Sequence, residues 1–186
     1  MHTKIDDLAA EQDWIDLQIT AARMRCEELS GVATTERTCT LVMDQFPSGR
    51  DPIHLPWPPL VEVSSLSYYD ENGDAQSYTV GDLQVTGTGS ARQCATLYPP
   101  VDEDWPSTEA QNPNAVTVTF VCGSDAVDVS PVLKSGMLLD IGSKYMHRED
   151  IEMSPSGRAV SLLPESSRNL YALQRAVWSG PELGGW

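Results

Sequence analysis

Apolar residues recur at offsets of four, three, four and three in Ile15, Ile19, Ala22, Cys26 and Leu29, which sets them on one face of a helix. Asp13 is placed to cap that helix, Asp16 puts negative charge at the positive end of its dipole, and Gly31 offers a left-handed stop. Beyond Gly31 the period falls to two. Cys39, Leu41 and Met43 alternate with Thr38, Thr40 and Val42, and Pro47, Gly49 and Pro52 then punctuate the chain. Val61 and Val63 share one parity and Leu66 and Tyr68 the other, so a bulge is expected near Ser64–Ser65. The turn Asp70-Glu71-Asn72-Gly73-Asp74 then closes a hairpin onto Tyr78 and Val80. Residues 87–114 read as a long loop or mobile flap in which only Cys94 to Tyr98 is extended. The cleanest strand follows, with Val116, Val118, Phe120 and Cys122 set against Thr117, Thr119 and Val121.

Helical spacing returns at Leu133, Met137, Ile141 and Tyr145, opened by Pro131, whose missing N–H costs nothing at a first helical position. Gly136 and Gly142 weaken this helix unless they permit close packing, or one of them marks a break. Residues 150–165 read as a linker, and Leu170, Leu173 and Val177 mark a last short helix. Helices at both ends of the chain bury their stripes by packing together. The expected class is therefore α+β, a helical bundle carrying a strand-rich insertion. Its parts are 1–35 as the first helical part of the core, 36–129 as the β-rich insertion, 130–178 as the C-terminal helices, and 179–186 as a flexible tail.

With 186 residues, 40% of them hydrophobic, the chain has material for one domain and a buried core. Charge sharpens the picture. Twelve Lys and Arg stand against 27 Asp and Glu, a formal net charge of -15, and clustered cations for gripping phosphates are missing. The acidity is uneven: residues 61–130 hold eleven acids against Arg92 alone, and residues 131–186 hold six acids against six bases. No stretch approaches the roughly 20 apolar residues of a membrane span, and the start Met1-His2-Thr3-Lys4-Ile5-Asp6-Asp7 lacks a signal-peptide pattern. A soluble chain made in the cytoplasm is expected.

Candidate chemistry is thin. Cys26, Cys39, Cys94 and Cys122 form no closely spaced pair, so free, mostly buried thiols are expected instead of a zinc site or redox dithiol. His2, His54 and His147 lie in a terminus, a Pro-rich turn and a helix end, with no nucleophile or ligand partner suggested by spacing. Asp70, Asn72 and Asp74 imitate the start of a calcium loop, but Ala75 and Gly81 stand where that loop needs Gly and Glu. Gly87-Thr88-Gly89-Ser90 lacks the Lys of a phosphate loop, and Asp102 with Asp104 lacks a pocket to separate two carboxyl pKa values. No catalytic, cofactor-binding or metal-ligating residue is assigned. Trp57 and Trp105 are expected as loop anchors, whereas Trp178 and Trp186, on a Gly-Pro-rich tail, are equally suited to a partner.

Several segments in order carry a resemblance: Ile19-Thr20-Ala21-Ala22-Arg23 with Glu27-Glu28-Leu29-Ser30-Gly31, Met43-Asp44-Gln45-Phe46-Pro47, and Leu55-Pro56-Trp57-Pro58-Pro59-Leu60. Tyr68-Tyr69-Asp70-Glu71-Asn72-Gly73, Trp105-Pro106, the strand Val116 to Gly123, and Tyr145-Met146-His147-Arg148-Glu149 follow. Taken together, the chain resembles the head-to-tail connector (adaptor, or head-completion) proteins of tailed bacteriophages and their relatives in gene transfer agents. That resemblance implies a structural virion protein of the neck, with no active site and no cofactor. It implies a ring of about twelve copies beneath the portal protein, extending the DNA channel and presenting a surface to a downstream stopper or tail protein. DNA passes through such a lumen without specific binding, and an acidic wall lets it slide where a cationic one would hold it. Asp70, Glu71 and Asp74 are the candidate channel-facing acids, and Trp178, Pro181, Leu183 and Trp186 the candidate portal-docking residues. The rival readings are another neck or tail component, such as a stopper or tail terminator, and a β-rich ligand-binding domain.

Overall fold

A computed structural model describes residues 8–146 and 165–177. In chain order the elements are α1 (Leu8–Ser30), β1 (Arg37–Met43), β2 (Ile53–Leu55), β3 (Leu60–Tyr69), β4 (Ala75–Tyr78), a 3-10 turn (Val80–Asp82), β5 (Gln84–Thr86), β6 (Ala95–Tyr98), β7 (Val116–Cys122), α2 (Pro131–Met146) and α3 (Glu165–Leu173). The protein is mixed α+β. It divides into a unit holding the three helices and a unit holding all the strands, the latter formed by Val32–Asp128 with Ala176 and Val177.

In the helical unit, α1 is already under way at Leu8, so Asp13 lies inside it and caps nothing. Ala9, Ala10, Glu11 and Gln12 are strong helix formers that extend it upstream, and Gln12 Nε2 donates to Asp16 Oδ1 at 2.8 Å. Gly31 ends it at a φ of 70°, donating its N–H to the Glu27 carbonyl at 2.8 Å. Ala22 and Cys26 are buried as the spacing predicts, but Ile19 is 49% exposed. The buried stripe is rotated toward Arg25 because α1 meets α2 through a polar contact, Arg25 Nε lying 3.8 Å from Asp140 Oδ2.

Asp140 also decides which face of α2 is covered: the buried residues are Leu133, Gly136 and Asp140, not the full stripe of Leu133, Met137, Ile141 and Tyr145. From α3, the Tyr171 hydroxyl donates to Asp140 Oδ2 at 2.8 Å, and the Tyr171 ring lies where a Cβ on residue 136 would stand. Gly136 thus permits close packing. Neither it nor Gly142 breaks the helix. On α3 the buried positions are Ser167 and Tyr171, whereas Leu173 is 65% exposed. The helix stops at Leu173, and Val177, expected on its face, pairs with Gln93 in the strand-rich unit. The linker expected at 150–165 lies outside the described residues except for Glu165, which begins α3.

In the strand-rich unit, one antiparallel sheet has the order β1-β7-β3-β4 and a second has the order β2-β6-β5. The second was not anticipated in full. β2 lies within the Pro-rich run and β5 falls just before the segment read as a loop, each only three residues long and too short to show a period. β7 is one of the two inner strands of the first sheet, with β3 the other. Val116, Val118, Phe120 and Cys122 all point inward and are buried, while β1 and β3 pair along its two edges. Each such side chain contributes roughly 1.5–3 kcal/mol by leaving water. The register of β3 shifts between Val63 and Ser65, as the parity change predicts, and again between Leu60 and Glu62. The hairpin closes onto Tyr78, opposite Leu66, but Val80 sits in the 3-10 turn.

The irregular chain around β6 is tied to the core by Trp105, which is buried, stacks on Phe46 with centroids 5.0 Å apart, and donates Nε1–H to the Asp51 carbonyl at 2.7 Å. Trp57 is half-buried against the same core, with the Arg37 guanidinium 5.1 Å from its ring centroid. Both tryptophans anchor loops, as expected.

At Gly123 the φ is 111°, and an added Cβ would run into the Thr35 carbonyl. In α2, by contrast, a Cβ on Gly142 would meet nothing within 4 Å. Adding one methyl group should therefore have opposite signs at the two sites. Gly123→Ala is expected to cost about 2–5 kcal/mol through backbone strain and overpacking, and Gly142→Ala to gain up to about 1 kcal/mol of helix propensity. Urea unfolding midpoints of the two variants check this directly.

Candidate functional site

The acidic turn between β3 and β4 is built around Asp70. Its Oδ1 accepts from the backbone N–H of Asn72 at 2.9 Å and of Asp74 at 3.1 Å, and its Oδ2 accepts from Gln76 Nε2 at 2.8 Å. Hydrogen bonds to Gln76, then to the Asn72 and Asp74 amides, hold the Asp70 carboxyl below its ordinary value. Asp70 is therefore a turn-former, while Glu71 and Asp74 present their carboxylates to solvent at the tip. The structure brings the three acids together in one turn.

A second acidic locus could not be read from spacing. Asp82, Glu103 and Asp104 line an open cleft of about 630 Å³ whose other walls include Tyr68, Tyr78, Pro100 and Pro106. Burial raises the Tyr78 phenol, and the negative charge of Glu103, the neighbouring Tyr68 and Asp82 add to the shift. Asp102, paired with Asp104 in the sequence reading, points elsewhere: it is exposed and lies 3.9 Å from Arg50. A cleft of carboxylates, phenols and prolines attracts cations and basic side chains.

The helical unit presents a different surface. Leu17 and Met24 lie seven residues apart on one exposed face of α1, and Leu139 and Met146 do the same on α2, where Leu138 is also 69% exposed. Scattered single apolar residues are ordinary on a surface, but pairs aligned along helices provide faces for association.

Among the described residues, no group of three or more His, Cys, Asp and Glu side chains could hold a metal ion, and no helix is long and apolar enough to cross a membrane. Burial lowers the pKa of His54, whose ring lies beside Thr96, and His2 and His147 lie outside the described residues. The four cysteines are free thiols, three of them buried. Two that sequence spacing keeps apart are neighbours in space: Cys39 Sγ lies 3.5 Å from Cys122 Sγ across β1 and β7. The tail residues Trp178, Pro181, Leu183 and Trp186 fall outside the described residues. The chain leading to them is tied down as far as Val177, which accepts from the Cys94 N–H at 3.0 Å and donates to the Arg92 carbonyl at 2.7 Å.

No family model matches the sequence, and no curated protein matches it. Among solved structures the fold is shared along the whole chain. It is similar to a chain in the neck of an empty gene transfer agent particle computed with C6 symmetry, with a TM-score of 0.69, 19% identity, and coverage of 100% of this chain and 87% of that one. A chain in the virion of a native gene transfer agent particle matches with a TM-score of 0.70, 19% identity and the same coverage. A chain in the neck of the native particle computed with C12 symmetry matches with a TM-score of 0.67 and 18% identity, covering 100% of this chain and 98% of that one.

The Asp70 hydrogen bonds make the turn pH-dependent. A carboxyl whose folded pKa is depressed supports the fold above its unfolded value, here 3.8, and that support is lost as pH falls through the lower folded value. The amide resonances of Asn72 and Asp74 should accordingly shift with a midpoint below 3.8 in an NMR titration. A midpoint at or above that value would show that the turn bonds do not form in solution.

Proposed function

We propose that this chain is a structural protein of the neck of a tailed, phage-like particle, an adaptor forming a ring under the portal that extends the DNA channel and joins head to tail. The observation that carries the reading is the fold shared over the full chain with chains from the neck of gene transfer agent particles. In this reading α1, α2 and α3 form a bundle core with the strand-rich unit as its insertion. About twelve copies assemble, in keeping with the C12 symmetry used for one of those necks. The exposed faces of Leu17 with Met24 and of Leu139 with Met146 are the surfaces on which neighbouring copies meet. The role is architectural, with no catalytic step. The site of action is the virion neck, after synthesis in the host cytoplasm.

The partners proposed are the portal protein, further copies of the chain, and a downstream stopper or tail protein. Residues 179–186 with Trp178 form the arm that docks on the portal, using Trp178, Pro181, Leu183 and Trp186 as anchors. In a producer lacking the gene, electron microscopy should show filled or leaking heads beside unattached tails. A chain truncated after residue 178 should give the same heads while remaining folded. Normal tailed particles from the deletion would refute the neck reading, and normal particles from the truncation would refute the arm.

The exposed carboxylates of Glu71 and Asp74 face the channel in this proposal and keep DNA from sticking to its wall. Their repulsion reaches only about 10 Å at physiological ionic strength, so it acts on DNA only from a lumen-facing position. Glu71→Gln with Asp74→Asn, leaving Asp70 to hold the turn, should slow DNA ejection in a salt-dependent way. Ejection and retention equal to those of the parent particle would place these acids away from the channel.

A further inference from the structure

Cys39 and Cys122 carry an arrangement that neither the fold match nor the neck reading uses. In the register of β1 and β7, Arg37 is opposite Cys122 and Cys39 is opposite Phe120, so the two sulfurs are diagonal neighbours on the same face of the sheet. They lie 3.5 Å apart, against about 2.05 Å in a disulfide, so bonding needs a further approach of roughly 1.5 Å. Cys122 is wholly buried and Cys39 is half-buried, so an oxidant in solution reaches Cys39 first. The Arg37 guanidinium, held over Trp57, belongs to the residue directly opposite Cys122 in the strand register.

We propose that Cys39 and Cys122 form an intramolecular disulfide when the folded chain meets a disulfide oxidant such as oxidised glutathione, bonding β1 covalently to β7. The Cys39 thiolate attacks one sulfur of the oxidant, forming a mixed disulfide and expelling one glutathione thiolate. Cys122 gives up its proton to solvent and attacks the Cys39 sulfur, forming the protein disulfide and expelling the second glutathione. Two protein thiols are oxidised and one glutathione disulfide is reduced to two thiols. Burial and the neighbouring Cys39 push the Cys122 thiol up to about 12 despite Arg37, so the second step is the slow one and accelerates with pH. The chemistry stands on the two strands alone. That a particle would carry the chain from a reducing cytoplasm into an oxidising exterior, where such bonds persist, rests on the neck reading.

The test uses the full chain, folded, incubated with oxidised glutathione at mildly alkaline pH, quenched with N-ethylmaleimide, digested and mapped by mass spectrometry. The expected result is a linked pair of peptides containing Cys39 and Cys122, lighter than the reduced pair by two hydrogen atoms, together with a thermal midpoint several degrees higher than that of the reduced chain. Cys39→Ser should abolish both changes. Maleimide on both Cys39 and Cys122, a stable glutathione adduct on Cys39 that never resolves, or linkage between other cysteines would each overturn the proposal. The parent protein's peptide map decides the matter even where a variant does not fold.

Discussion

The strand-rich unit depends on a backbone crossing at Gly123. There the chain leaving β7 passes against the Thr35–Glu36 backbone that leads into β1, so closely that residue 123 has no room for a Cβ. The Gly123 N–H also donates to the Pro59 carbonyl at 2.9 Å, tying the same point to the approach to β3. Closing a loop of this length is entropically costly, though the cost grows only slowly with length. Once it is closed, β7 takes β1 on one edge and β3 on the other, and each residue of its inner face packs against strands on both sides. The chain therefore enters β1 and leaves β7 at one place.

The helical unit is organised differently, around a charge. Asp140 is only 3% exposed, and it receives the Tyr171 hydroxyl from α3 and faces Arg25 from α1. A buried carboxylate is tolerated only where partners offset its desolvation, so the three helices are constrained in rotation as well as in distance. Burial, followed by the Asp140 hydrogen bond and charge, raises the Tyr171 phenol and keeps it a donor across the physiological range. Apolar stripes alone would let α1 and α3 slide. The polar contact fixes which residues face inward, which explains why Ile19 and Leu173 are left outside.

That difference sets what the sequence makes legible. β1 and β7, with their clean alternation, were readable residue by residue, as was the stop at Gly31, because these features are decided locally. The helical faces were readable only in part. Periodicity assumes that apolar residues choose the buried side, and in α2 a glycine and an aspartate chose it, answering to Tyr171 more than thirty positions away. The start of α1 was misplaced because Asp13 has a capping residue's identity without its position. Of the candidate surfaces, the acidic turn was visible as a turn signal. The cleft of Asp82, Glu103 and Asp104 and the contact between Cys39 and Cys122 were not, since each joins segments whose proximity exists only after the sheets have paired.

Charge is spread unevenly between the two units, whereas exposed apolar residues occur in both, Val42, Val101 and Val127 among them in the strand-rich one. Between Val61 and Ser130, eleven acids stand against one arginine, so two strand-rich units brought side by side would repel. Two exposed charges in water interact by only about 1 kcal/mol at 4 Å, and salt screens them beyond about 8 Å, but the sum over many acids opposes close approach of these units. The three helices α1, α2 and α3 hold seven acids and five bases, a smaller imbalance, and carry Leu17, Met24, Leu138, Leu139 and Met146 exposed. In the proposed ring, contact through the helical units would gain about 0.8 kcal/mol for each buried CH₂ group against a weaker repulsion. The balance between that attraction and the repulsion of the acidic units would set how closely neighbouring copies pack.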